Sequence, residues 1–114
     1  MGALREVNLE WGRPSVDQAL RLLRQELHTS KKLRYKAVKF IHGYGSSGSG
    51  GRIRVAVRRE LEAMRVKGEI RSIIPGERFT IFEADTLSAF AHCGGLRADE
   101  DLERYNNGIT IVLI

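Results

Sequence analysis

Residues 38–54 read VKFIHGYGSSGSGGRIR, and this stretch decides the fold. Its first residues continue a predicted strand, Tyr35–Ile41, which becomes almost wholly apolar, as is typical of a strand at the centre of a sheet. The strand enters a loop rich in glycine and serine. A helix then begins near Arg52, with apolar residues at helical spacing and Gly68 as its expected C-cap. The order strand, glycine loop, helix indicates an α/β domain with its loop free to approach a ligand closely.

The segment before this unit predicts a strand and a helix of its own. Alternating apolar and polar residues over 7–11 are typical of a half-buried strand. Ser15 is a candidate N-cap, and Gln18 completes a capping box. The apolar spacing that follows predicts a helix from Val16 to about His28.

Three strands alternating with two helices imply βαβ crossovers. We therefore predict a two-layer α/β sandwich with a small mixed, mostly parallel sheet, built from a βαβαβ core and a C-terminal strand. The third and last strands are predicted over 70–74 and 109–114.

The sequence between Gly76 and Tyr105 has a weaker pattern. It is compatible with an edge strand over 78–82, a short helix from Asp85 to the Gly94-Gly95 pair, and a helical turn over 99–105. We predict one domain over 1–114, with an acidic insertion at about 76–105 that lies beside the sheet.

Length and composition exclude several classes of protein. A chain of 114 residues fits one core, and it has no apolar run near the ~20 residues that a membrane span needs. The single cysteine, Cys93, excludes an internal disulfide, and the histidines and acids show no ligand spacing, so no metal and no cofactor are predicted. The N-terminus lacks a signal-peptide pattern, so a cytoplasmic location is expected.

The net charge of +5 is unevenly distributed along the chain. Residues 1–74 carry 16 Lys/Arg and 7 Asp/Glu, whereas residues 75–114 carry 3 and 7. A basic body with an acidic last third favours a face that attracts polyanions such as nucleic acid.

Four arginines follow the glycine loop, at positions 52, 54, 58 and 59. Cations at a helix N-terminus oppose the helix dipole, and a bound phosphate would resolve that conflict. The simpler alternative is a mobile connection followed by arginines that only favour the helix. A mononucleotide P-loop is disfavoured because its Lys-Ser/Thr pair is missing, and the Rossmann fingerprint is weak.

These residues resemble the Smr, or small MutS-related, domain family. Phe40-Ile41-His42-Gly43-Tyr44-Gly45 is similar to the family's strand end and His-Gly-x-Gly loop. Gly51-Arg52-Ile53-Arg54 is similar to the loop end, after an expansion at 46–50. Leu9-Glu10-Trp11-Gly12 aligns with the family's Leu-Asp-Leu-His, and 107–112 resembles its closing strand. The resemblance covers nearly the whole chain except about 76–105.

The resemblance implies an α/β sandwich that binds DNA or structured RNA, and that in several members nicks it. It also implies a link to DNA repair or recombination. The catalytic residues would be Glu10 and His42 as an acid/base pair with Arg54 stabilising charge, but Gly12 replaces the family's histidine. The residues expected to contact nucleic acid are His42, Gly43, Tyr44, Gly45, Gly51, Arg52, Arg54 and Arg58.

Three functions therefore remain open at the level of sequence: a nucleic-acid-binding module that lost cleavage, an active nicking endonuclease, and a protein-interaction module. The first two predict a salt-dependent interaction with nucleic acid, which the third does not. Trp11 and Tyr44 are candidates for base stacking at the rim, although Trp11 is also compatible with the core. No membrane partner is expected, and the oligomeric state is left open.

Overall fold

The computed structural model describes residues 4–43 and 49–114. Its elements, in chain order, are β1 (Leu4–Asn8), α1 (Val16–Lys32), β2 (Ala37–Ile41), α2 (Ser49–Val66), β3 (Ser72–Pro75), α3 (Ala84–His92) and β4 (Ile109–Leu113). Short 3-10 helices lie at Gly76–Arg78 and Gly94–Ala98. No helix in these described ranges is long and apolar enough to cross a membrane.

The four strands form one mixed sheet in the order β1-β2-β4-β3. β1 is parallel to β2, and β4 is antiparallel to both β2 and β3. β1, β2 and β3 therefore run in one direction. β4, the last strand in the chain, lies between β2 and β3 and runs in the opposite direction. The predicted fold class, a small mixed α/β sheet with a βαβαβ core and a C-terminal strand, is confirmed.

Helix α1 starts at its predicted capping box and ends later than expected. The Ser15 hydroxyl accepts from the Gln18 N–H at 3.1 Å, and the Gln18 side chain accepts from the Ser15 N–H at 2.9 Å. The polar residues 29–32, expected as a turn, are helical. Ser30 explains this extension, because its buried hydroxyl donates to the Glu26 carbonyl and accepts from Arg5 on β1.

Strand β1 is shifted from the predicted 7–11 to residues 4–8. Leu9 still donates its N–H to the Ile41 carbonyl at 2.7 Å, but the chain then turns, and the Arg13 N–H donates to the Glu10 carbonyl at 3.2 Å. The alternating pattern thus continued beyond the strand into a turn.

The expected edge strand over 78–82 and helical turn over 99–105 are both wrong. A 3-10 helix and a turn occupy the first segment, and hydrogen-bonded turns occupy the second. Glu103 determines both, because its carboxylate accepts from the Thr80 hydroxyl and the Ile81 N–H, at 2.7 and 2.6 Å. This long-range contact has no local sequence pattern.

The sheet separates two apolar clusters. Alternation along β2 directs Val38 and Phe40 toward α1 and α2, and Ala37 and Ile41 toward the opposite face. That second face is covered by Phe79, Ala89, Phe90, Cys93 and Leu96 from the segment 76–105.

The segment 76–105 therefore lies on a face of the sheet, which corrects the expectation that it lies beside it. Phe90 is buried and Leu102 packs against the same cluster, whereas Leu87 is 53% exposed. The segment supplies a layer that the sequence pattern did not predict, since its apolar residues have no regular spacing.

Lys39 fixes this added layer from the middle of β2. Its side chain is 1% exposed, and its ammonium donates to Asp99 at 3.0 Å and to Asp101 at 2.7 Å. Burial acts to lower the pKa of Lys39, but the hydrogen bonds to the two carboxylates outweigh burial and hold that pKa above its ordinary value. Asp101 also accepts from the Asn106 amide, so the charged cluster holds the turn that leads into β4.

Candidate nucleic-acid interface

The carboxyl ends of β1 and β2 meet at one edge of the sheet. Their parallel register pairs Asn8 with Ile41, which brings Glu10 beside Gly43. Gly43 has a φ of +75°, and a Cβ built on it would overlap the Glu10 Oε2. The positive φ favours glycine at this position, whereas the exposed Glu10 side chain could move aside. Glu10 and the His42-Gly43 loop start are thus neighbours, as the sequence predicted.

His42 lies beneath this edge rather than on it, with 0% of its surface exposed. Its Nδ1 is 2.8 Å from the Gly43 carbonyl oxygen, and its Nε2 is 2.8 Å from the Thr110 Oγ1. Because a carbonyl only accepts, Nδ1 carries the proton, and Nε2 accepts from the Thr110 hydroxyl. Burial, aided by the charges of Arg58 and Arg54, lowers the pKa of His42 to about 4, so the ring is neutral at physiological pH.

Arg58 continues the hydrogen-bonded chain from Thr110. Its Nε donates to the Thr110 Oγ1 at 3.1 Å, and its two terminal nitrogens donate to the two carboxylate oxygens of Glu77, each at 2.8 Å. Nη2 also donates to the carbonyls of Asn107 and Ile109, at 3.3 and 3.2 Å. Burial acts to raise the pKa of Glu77, but the hydrogen bonds from Arg58 lower it overall.

We define the His42 relay as this chain of Gly43, His42, Thr110, Arg58 and Glu77. Sequence reasoning missed two of its members. Thr110 was visible only as the one polar residue in an apolar strand, and Glu77 lies in the segment expected to be an insertion. A polar residue inside a buried strand requires a partner, and that was the available signal.

Arg54 lies one helical turn before Arg58 on α2. Its side chain is half-buried, and it is close enough to His42 and Glu77 to lower the pKa of each. Within residues 4–43 and 49–114 it has no hydrogen-bond or ion-pair partner. Helix α2 has no acidic residue in its first turn, so nothing there neutralises its positive end.

The remaining residues of the predicted site fall into three groups. Arg52 is exposed and, with Gly51, Val55, Ala56 and Arg59, lines a shallow surface groove. Glu10 is exposed beside Gly43, and Gly12 is exposed with a φ of +79°. Tyr44 and Gly45 lie outside the described residues.

Trp11 is 86% exposed on the turn after β1, so it is not part of the core. Cys93 is buried, as expected, and burial raises the pKa of its thiol. Across the described ranges no group of three or more His, Cys, Asp or Glu is arranged to hold a metal ion.

Comparison with known proteins shows the family and the fold of the chain. The Smr domain family model matches residues 13–78. The crystal structure of the Smr domain of Thermus thermophilus MutS2 is 22% identical, with a TM-score of 0.57, covering 96% of this chain and 95% of that one. No curated protein matches. Because the family model spans more than half of the sequence, this chain belongs to the Smr domain family.

Proposed function

We propose that this Smr domain binds the phosphate backbone of DNA or structured RNA through the loop and helix start over 42–54. The observation that carries the proposal is Arg54, a half-buried guanidinium without an internal partner among the described residues, at the edge where the glycine loop meets α2. The nearby Glu77 carboxylate is already held by two hydrogen bonds from Arg58, so the Arg54 N–H groups have no acceptor among the described residues, and a phosphate would supply one.

Arg54 and Arg52 act as the direct phosphate contacts in this proposal. Arg58, expected from sequence to join them, has a different role here because each of its three guanidinium nitrogens donates to an acceptor within the fold. We assign it to positioning: it holds Thr110 and Glu77 and keeps the sheet edge below Arg54 rigid. The net positive charge of the chain supplies long-range attraction to the polyanion.

Binding is favoured over cleavage by the state of His42. A neutral ring with both nitrogens engaged inside the fold neither reaches a phosphodiester nor exchanges protons with it. Glu10 then remains as a single carboxylate, and Gly12 supplies no proton-transferring group. The role of this domain in DNA repair or recombination is likewise a proposal that rests on the family alone.

A binding series at two salt concentrations tests the proposal. Labelled duplex DNA, branched DNA, single-stranded DNA and structured RNA are titrated with the protein. We expect binding that weakens with salt, and Arg54→Gln should weaken it and lower the salt slope by about one released counterion.

Arg21→Gln is the matched control, because Arg21 is an exposed arginine on α1 with no described partner. An equal loss from both variants would mean a diffuse positive field with no special role for the loop. Absence of salt-dependent binding to all four probes would favour the protein-interaction module.

A further inference from the structure

The turn after β1 presents an aromatic side chain to solvent. Trp11 is the only tryptophan of the chain and is 86% exposed. The next two residues, Gly12 and Arg13, have φ values of +79° and +53°, and the Arg13 N–H closes the turn on the Glu10 carbonyl.

The stability of the fold does not explain the exposed tryptophan or the backbone conformation of this turn. An exposed tryptophan buries little apolar surface, and an arginine in the left-handed region is disfavoured by its Cβ. Strained backbone and unburied aromatic surface at one place are features that proteins retain at binding sites.

The position of the turn joins it to the proposed phosphate site. Glu10, which opens the turn, lies against Gly43, and the loop after Gly43 leads into α2 and Arg54. Arg13, two residues after Trp11, adds an exposed cation to the turn, and within the described parts of the chain no carboxylate pairs with it.

We propose that Trp11 is a stacking platform for an unpaired base of the nucleic acid whose backbone is held at the loop and α2. The inference rests on the proposed function and specifies its ligand: a strand with single-stranded or displaced bases. A base could stack on the ring of Trp11, and the positive charge of Arg13 could attract the phosphate that adjoins the base.

The immediate neighbours of Trp11 favour a base over a protein partner. Glu10, Gly12 and Arg13 are all exposed, and none of them offers an apolar side chain that would extend the apolar surface of Trp11 along the turn. Protein-docking surfaces depend on contiguous apolar area.

The single tryptophan makes the test direct. The full chain is titrated with oligothymidine of about 12 nucleotides and with an abasic strand of equal length. We expect the base-bearing strand to quench the Trp11 fluorescence and the abasic strand to leave it unchanged. By label anisotropy, Trp11→Ala should bind oligothymidine about tenfold or more weakly, and Trp11→Phe should retain most of the affinity.

Leu33→Ala is the matched control. Leu33 is a 60% exposed apolar residue, and α1 carries it to the opposite edge of the sheet, so its substitution should not change affinity. Equal binding of both strands with unchanged fluorescence would overturn the stacking inference and leave phosphate binding intact. Absence of binding to any nucleic acid would overturn both, and self-association lost only in Trp11→Ala would assign the ring to a protein contact.

Discussion

The role of His42 in the structure differs from the role that the sequence predicted. The family resemblance gave His42 as a candidate catalytic and nucleic-acid-contacting residue, but the ring is buried inside the His42 relay. It accepts from Thr110 and donates to the Gly43 carbonyl, so it shapes the loop start from below.

The relay predicts a particular dependence of stability on pH. The folded-state pKa of His42 is about 4, below the ordinary 6.5, so between these values the unfolded chain binds a proton that the folded chain does not. The free energy of unfolding should therefore be intact above about pH 6.5 and fall as pH is lowered toward 4, by about 3 kcal/mol in all. Urea unfolding at a series of pH values measures this slope.

The controls for this slope are two substitutions. His42→Gln should flatten it between pH 6.5 and 4. His92→Gln should change it less, because burial also lowers the pKa of His92 but that ring is only partly enclosed. An unchanged slope in His42→Gln would show that the ring is not held neutral.

The sequence predicted the neighbours of the candidate site better than their roles. Glu10 and the His42 loop start could be placed together because parallel strands end at one edge. The burial of His42 could not, because it depends on Thr110 and Arg58, which are 68 and 16 residues away along the chain. Those side chains meet only after β4 has entered the sheet.

At the scale of elements, the segment 76–105 carries the largest difference from expectation. Helices α1 and α2 followed from spacing and capping, whereas this segment folds through long-range contacts such as Glu103 with Thr80. It covers the second face of the sheet and is tied there by Lys39.

Removal of this segment should therefore unfold the protein. Replacing 77–104 with a short turn would expose Ile74, Ile109 and Ile111 and would remove Asp99 and Asp101, the partners of Lys39. We expect dispersed amide signals to disappear from the NMR spectrum.

Two point variants test the same layer without removing the segment. Phe90→Ala should lower the free energy of unfolding by about 3–5 kcal/mol, while Leu87→Ala should lie within about 0.5 kcal/mol of the parent protein. Retained dispersion after the deletion, together with a small effect of Phe90→Ala, would mean that α1, α2 and the sheet form a sufficient core.

At the scale of the whole molecule, internal pairing explains the uneven charge along the sequence. The acidic last third does not present all its carboxylates to solvent, because Asp99 and Asp101 pair with Lys39 and Glu77 pairs with Arg58. These pairs partly neutralise carboxylates that would otherwise repel a polyanion. The arginines at the start of α2 can therefore still attract one.

The same assembled site predicts weak catalysis. A positioned acid or base typically contributes 10²–10⁴-fold, and this site lacks an exposed histidine. We expect little or no metal-independent nicking of supercoiled plasmid by the parent protein, with nucleic-acid binding retained. Robust nicking that is lost in Glu10→Gln would establish the endonuclease instead.

Gly12→His tests whether the family's residue restores activity. Among the residues that the structure describes, nothing lies within 4 Å of a Cβ built on Gly12, so these leave room for the side chain, but the φ of +79° disfavours it. The variant should lose about 1–2 kcal/mol of stability. Nicking gained in Gly12→His and abolished again by Glu10→Gln would show that this edge retains a competent geometry.

The central position of β4 has a consequence for how the protein is made. β2 and β3 do not pair with each other; both depend on β4, which the ribosome synthesises after them. During vectorial synthesis the nascent chain therefore carries two open strand edges and an incomplete His42 relay until residues 109–113 emerge. Such edges are templates for pairing with other chains, so this domain should be more prone to mispairing during synthesis than one whose sheet closes in chain order.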